Sequence, residues 1–165
     1  MKDLNKNDDE QGGYDLIVLG AGSAGFSAAI TGADAGKRVA LVGHGTIGGT
    51  CVNVGCVPSK AMIRAAEAVH CAGAAKRFPG LSGRAQVDDW QTLVQSKDDL
   101  VTTLRQKKYA DLLPEYEDVD YIDAGPARLI EGGVTVGERP LKAPRTIIAT
   151  GGRPVLPPID GIEEI

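Results

Sequence analysis

Short apolar runs alternate along this chain with longer segments of helical period. Tyr14 to Leu19 (YDLIVL) is almost wholly apolar, which predicts a strand buried on both faces, as in a parallel sheet. Phe26 to Ala35 reads as a helix whose many Ala residues allow close packing on a sheet, with Gly36 as its C-cap, and Arg38 to Val42 reads as a second strand. Another helix is expected from Pro58, carrying Met62, Ile63, Ala66 and Val69 on its apolar side. After a loop over 73–87, Asp88 to Leu113 is helical in pattern, with Asp88 or Asp89 as cap. Its stripe comprises Trp90, Leu93, Val94, Leu100, Val101, Leu104, Tyr109 and Leu112, and Lys97, Arg105, Lys107 and Lys108 form a solvated face. From Val119 the period shortens: VDYIDA, ARLIE and VTVG, with turns at Gly132-Gly133 and Gly137, predict a β-meander. A last strand, Arg145 to Ala149, runs into Thr150-Gly151-Gly152 and a proline-rich exit.

The first strand and first helix are joined by Gly20-Ala21-Gly22-Ser23-Ala24-Gly25. In that context the first glycine makes a tight turn, the second lets the backbone approach a pyrophosphate, and the third permits close helix packing, with the phosphates at the helix N-terminus. The fold class that follows is α/β, a doubly wound, Rossmann-like parallel sheet with a small β-meander. One piece departs from the pattern. An acidic residue usually ends the second strand and bonds the adenosine ribose, but here Gly43 and His44 stand there. His44 or backbone groups are the candidate substitutes.

Cys51 and Cys56 sit in GGTCVNVGCVPSK. Five residues apart on a regular helix, their Cα atoms would be roughly 8 to 9 Å apart, whereas a disulfide needs about 4.4 to 6.8 Å. If the pair bonds, the backbone must leave ideal helix, and Gly55 and Pro58 are the means: Gly55 tolerates unusual dihedrals and Pro58 cannot donate to the Val54 carbonyl. Cys56 then lies at the positive end of the next helix, with Lys60 one turn on, a setting typical of reactive cysteines. A plain stabilising disulfide, or two reduced buried thiols, is the bland alternative. A zinc pair is a third, but His44, His70 and Cys71 supply no second spaced pair. Cys71 is expected to be a small buried hydrophobe.

The chain has 165 residues, 42% of them hydrophobic, and a net charge of -4, enough for one domain with a core and poorly suited to nucleic acid. No stretch reaches the length of a membrane span. The polar segment 1–13 has no apolar signal core, so a flexible tail and a cytoplasmic location are expected, where a disulfide would be transient and catalytic.

GAGSAG, GGTCVNVGCVPSK and ATGGRP occur in the order and spacing of the flavin-dependent disulfide reductases, and the resemblance covers essentially all of 14–165. Within that superfamily the run GTIGGTCVNVGCVPSKAMIRAAE is most similar to the mercuric reductase family. The resemblance implies electron flow from NADPH through FAD to a Cys51–Cys56 disulfide, with Cys56 the sulfur against the flavin, Cys51 the outward thiol that meets Hg(II), and Lys60 beside the reactive ring edge. It makes Cys51, Cys56 and Lys60 the catalytic candidates, the two cysteines also binding Hg(II) as substrate. The implied FAD-binding residues are Gly20, Gly22, Ser23, Ala24, Gly25, Gly43, His44, Gly45, Gly49, Thr50, Lys60, Ala127, Thr150 and Gly151. Members of the family run to about three times this length or more and add a nicotinamide domain, the returning half of the FAD domain and a homodimer interface. Residues 14–165 therefore resemble the first half of an FAD-binding domain, and this chain alone is not expected to turn over NADPH. A dihydrolipoamide dehydrogenase-like disulfide reductase and a non-catalytic flavin or thiol metal-binding module are the competing readings.

Overall fold

The computed structural model describes residues 13–164; the tail expected over 1–13 therefore lies, apart from Gly13, outside the described residues. Four parallel strands form the central sheet in the order β3-β2-β1-β7: β1 Leu16–Leu19, β2 Val39–Val42, β3 Val119–Ile122 and β7 Thr146–Ile148. In register, Leu16 faces Val39, Val39 faces Val119 and Ile17 faces Thr146. Ile17 and Val18 point to opposite faces and both are fully buried, as the unbroken apolar run required. On one face, Val18, Val39, Leu41 and Val119 meet Phe26 and Ala29 of helix α1, Ser23–Asp34. On the other, Ile17, Leu19, Ala40, Val42 and Ile122 meet Val134, Val136 and Leu141.

Those last three belong to an antiparallel sheet of β4 Ala127–Ile130, β5 Gly133–Val136 and β6 Arg139–Lys142. The molecule is thus three layers: helix, parallel sheet, antiparallel meander. Each large, fully buried aliphatic side chain contributes about 1.5–3 kcal/mol. Four of the six largest, Ile17, Val18, Val39 and Leu41, lie on β1 and β2, so that strand pair anchors the fold. At its far edge Tyr14 donates to Asp120 at 3.1 Å, and Arg38 both pairs with Asp120 at 3.2 Å and lies over the Tyr14 ring. Burial first, then the Asp120 carboxylate, pushes the Tyr14 phenol up to about 12.

Several expectations change. VDYI is not part of the meander; as β3 it extends the parallel sheet beside β2, while the third meander strand is RPLK, β6. Residues opposite β2 are chosen by long-range burial of Val119 and Ile122, which a local period does not reveal. Helix α3, Cys56–Ala74, has no buried residue, and Cys71 is exposed rather than part of a core. Helix α4 spans Trp90–Arg105, capped by Asp89, whose carboxylate accepts from the Thr92 N–H at 3.0 Å. Its expected continuation becomes a π-helical turn, Gln106–Ala110.

Candidate functional site

The carboxyl ends of β1, β2 and β7 open on one cleft of about 460 Å³, the place where parallel α/β sheets bind ligands. Gly20 has φ of 112°, and a Cβ there would lie 2.2 Å from the Ala149 carbonyl oxygen. At Gly25 a Cβ would lie 1.7 Å from the Gly20 oxygen. Gly25 lets α1 start close beneath β1, and Gly20 lets the turn pass against the end of β7. Gly22, the N-cap, offers no side chain, and the first turn of α1 holds no acidic residue. The amides of Ser23, Ala24 and Gly25 are therefore left for an anion, as the unpaired N–H groups at a helix start require.

Gly22 also touches the second motif. A Cβ on Gly49 would fall 2.7 Å from the Gly22 Cα, and the Gly48 N–H donates to the Ala21 carbonyl at 2.9 Å. Left-handed Gly48 and Gly49 then start a short helix, α2, Gly49–Asn53. The helix breaks at Val54 and Gly55, and α3 begins at Cys56, with Ser59 making the first helical bond to Gly55 at 3.1 Å. Pro58 sits inside that first turn, where its missing N–H costs nothing. A Cβ on Gly55 would be 2.9 Å from the Thr50 oxygen and 3.3 Å from the Cys51 Cα, so glycine lets the second cysteine fold back on the first.

Both sulfurs are exposed free thiols. A hydrogen bond to Cys56, followed by desolvation and the charge of that sulfur, holds the Cys51 thiol above the ordinary cysteine value; the Cys56 backbone N–H and the Lys108 ammonium pull it down. Lys108 is exposed on the π-helical turn, as expected of a solvated face, and from there its charge favours the Cys51 thiolate. That turn also packs the Tyr109 ring edge-on against Phe26 at 4.9 Å and sets its hydroxyl 3.0 Å from that of Ser23. π-helical turns recur at functional sites. Asn53 locks the approach: its amide donates to the Ile47 and Gly49 carbonyls, each at 2.9 Å, and its oxygen accepts from Arg105 at 3.0 Å.

Of the residues singled out from the sequence, Gly20, Gly22, Ser23, Ala24, Gly43, His44, Gly45, Gly49, Thr50, Cys51, Ala127, Thr150 and Gly151 line the cleft. Gly25 lies beneath the turn, Cys56 stands behind Cys51, and Lys60 is exposed on α3 outside the lining. Tyr121 and Gly125 also line it and were not anticipated. The turn's free amides, the positive-φ Gly45 and Gly151 with open space around them, and the cleft across three strand ends fit a dinucleotide.

A glycine-turn dinucleotide fold with two adjacent thiols at the mouth of its cleft defines a flavoprotein-type disulfide oxidoreductase site. Residues 14–165 match the pyridine nucleotide-disulphide oxidoreductase family, and the chain belongs to it. It is 44% identical over 159 residues to a mercuric reductase of Streptomyces lividans, covering 93% of this chain and 33% of that protein. A mercuric reductase of Lysinibacillus sphaericus is also 44% identical, over 153 residues that make 92% of this chain and 28% of the relative. The HOCl-induced flavoprotein disulfide reductase RclA from Escherichia coli superposes with a TM-score of 0.67 at 32% identity, over 91% of this chain and 31% of that one. The chain thus spans about a third or less of the proteins it matches.

Proposed function

We propose that this chain is the first half of the FAD-binding domain, with the redox dithiol, of an enzyme that reduces Hg(II) to elemental mercury with NADPH. The observation that carries the reading is the exposed Cys51 thiol in the cleft lining, paired with Cys56 beside it. Thiolates are soft ligands matched to soft metal ions. The mercuric reductase relatives support the choice of metal.

Bound in the cleft, FAD supplies a two-electron carrier between a nicotinamide and sulfur. The chain's own residues bind and orient. The amides that open α1 hold the pyrophosphate, Cys51 meets the metal from the solvent side, Cys56 at the start of α3 is the inner sulfur, and Lys60 adds positive charge one turn on. The electrons balance: NADPH gives up a hydride and becomes NADP⁺, Hg(II) takes the two electrons, and one proton is released. A cytoplasmic homodimer is the form proposed for the complete enzyme.

The likeness to RclA supports a second reading, an organic disulfide as substrate. In the enzyme containing this chain, NADPH oxidation should depend on Hg(II), and Cys51→Ala should abolish it while the flavin absorbance remains. Turnover with dihydrolipoamide or glutathione disulfide but not Hg(II) would overturn the mercury reading. Hg(II) turnover that survives Cys51→Ala would overturn the dithiol assignment.

A further inference from the structure

Gly43 stands where dinucleotide folds usually place the acidic residue that bonds the adenosine ribose. Its glycine is a matter of space: a Cβ there would lie 2.6 Å from the Tyr121 Oη, 2.8 Å from Tyr121 Cε2 and 2.9 Å from the Ala21 Cβ. The phenol that fills this space comes from the neighbouring strand. Leu41 of β2 faces Tyr121 of β3, and the Gly43 N–H donates to the Ile122 carbonyl at 3.0 Å, so the register sets the ring over the end of β2. Tyr121 lines the cleft together with Gly43 and His44. Among the described residues its hydroxyl has no hydrogen-bond partner. Burial, helped by the Asp123 carboxylate, raises that hydroxyl above the ordinary tyrosine value, so it stays neutral and able to donate. His44 turns its Nδ1 to Asp123 at 3.9 Å and is largely exposed, which leaves it the weaker substitute.

We infer that Tyr121 takes over the ribose-binding place from β3, its hydroxyl bonding the adenosine ribose of the dinucleotide where a carboxylate from residue 43 would otherwise do so. The two positions are alternatives for one space. Tyrosine at 121 requires glycine at 43, and an acid at 43 requires a small residue at 121. The inference rests on the dinucleotide reading of the cleft and specifies its adenosine end.

The test is titration of the apoprotein with FAD, followed by flavin fluorescence, and with ADP as a probe of the adenosine end alone, with circular dichroism to verify folding. Tyr121→Phe removes only the hydroxyl and should weaken both ligands about three- to tenfold, the worth of one neutral hydrogen bond. Gly43→Glu alone should bind worse than the unaltered protein, because the new side chain meets the phenol. Gly43→Glu combined with Tyr121→Val and Ala21→Gly, which clears the 2.9 Å contact with the Ala21 Cβ as well, should recover binding to within about threefold of the unaltered protein. Unchanged FAD and ADP affinity in Tyr121→Phe, or a combined variant no better than Gly43→Glu, would overturn the inference alone. No FAD binding by the unaltered protein would overturn the dinucleotide reading and this inference with it.

Discussion

Replacing Asn53 by alanine should loosen the bend that brings the two thiols together. The half-buried amide makes three hydrogen bonds: it donates to the Ile47 and Gly49 carbonyls at 2.9 Å each and accepts from Arg105 at 3.0 Å. Neutral bonds of this kind are worth about 0.5–1.5 kcal/mol each, and one to a charged donor somewhat more. Partial exposure lowers the Arg105 contribution, so the total loss should be about 2–4 kcal/mol, or roughly 4–16 °C in Tm for a chain of this size. Asn53→Asp separates the components. It keeps an acceptor for Arg105 but turns oxygens toward two carbonyls, so it should destabilise nearly as much as alanine. Arg105→Ala removes one bond only and should cost about 1 kcal/mol, with a coupling of at least about 0.5 kcal/mol to Asn53 in a double-mutant cycle. Urea unfolding followed by circular dichroism gives these energies, and diamide oxidation gives the rate at which Cys51 and Cys56 join. Asn53→Ala should slow that rate. A loss below about 0.5 kcal/mol with unchanged oxidation would refute the role given to Asn53.

Three further outcomes follow from the same geometry. Gly25→Ala should cost more than about 3 kcal/mol, because its Cβ would sit 1.7 Å from the Gly20 oxygen and only a shift of α1 relieves that; near-native stability in denaturant would contradict the packing described. The raised Tyr14 phenol contributes stability that is full below the unfolded value near pH 10 and is lost as pH rises toward about 12. That loss is at most about 2–3 kcal/mol, reduced by water at Arg38 and Asp120, and Tyr14→Phe should flatten the decline between about pH 10 and 12 in urea midpoints. Iodoacetamide alkylation of Cys51 should have its pH midpoint above that of an ordinary thiol, and Cys56→Ala should move it down; an unmoved midpoint would deny the contact between the sulfurs.

How far the sequence foretold this arrangement depends on the range of the contacts involved. The turn from Gly20 to Gly25 and the helix break at Gly55 are read from neighbours in the chain, and the structure has both: the clashes that demand glycine at 25 and 55 come from residues within a few positions, while that at Gly20 comes from Ala149 at the end of β7. VDYI was grouped with the strands that follow it because its period is theirs; only burial of Val119 and Ile122 against β2 and the second sheet assigns it to the parallel layer. RPLK passed unnoticed because Pro140 weakens a strand pattern, although proline is tolerated on an edge strand such as β6. The same error of range hid Tyr121. A missing acid at Gly43 was visible in the sequence, but its cause is a ring supplied by a strand whose place in the sheet had been misread. Lys108 shows the opposite case: the helical period set it on a solvated face, and it is exposed there on the π-helical turn. Tyr121 reached the cleft by a change of layer that local periodicity does not record. In this fold, then, the glycine turns that shape the cleft are legible along the chain, while Tyr121 in its lining comes from a strand placed by long-range packing.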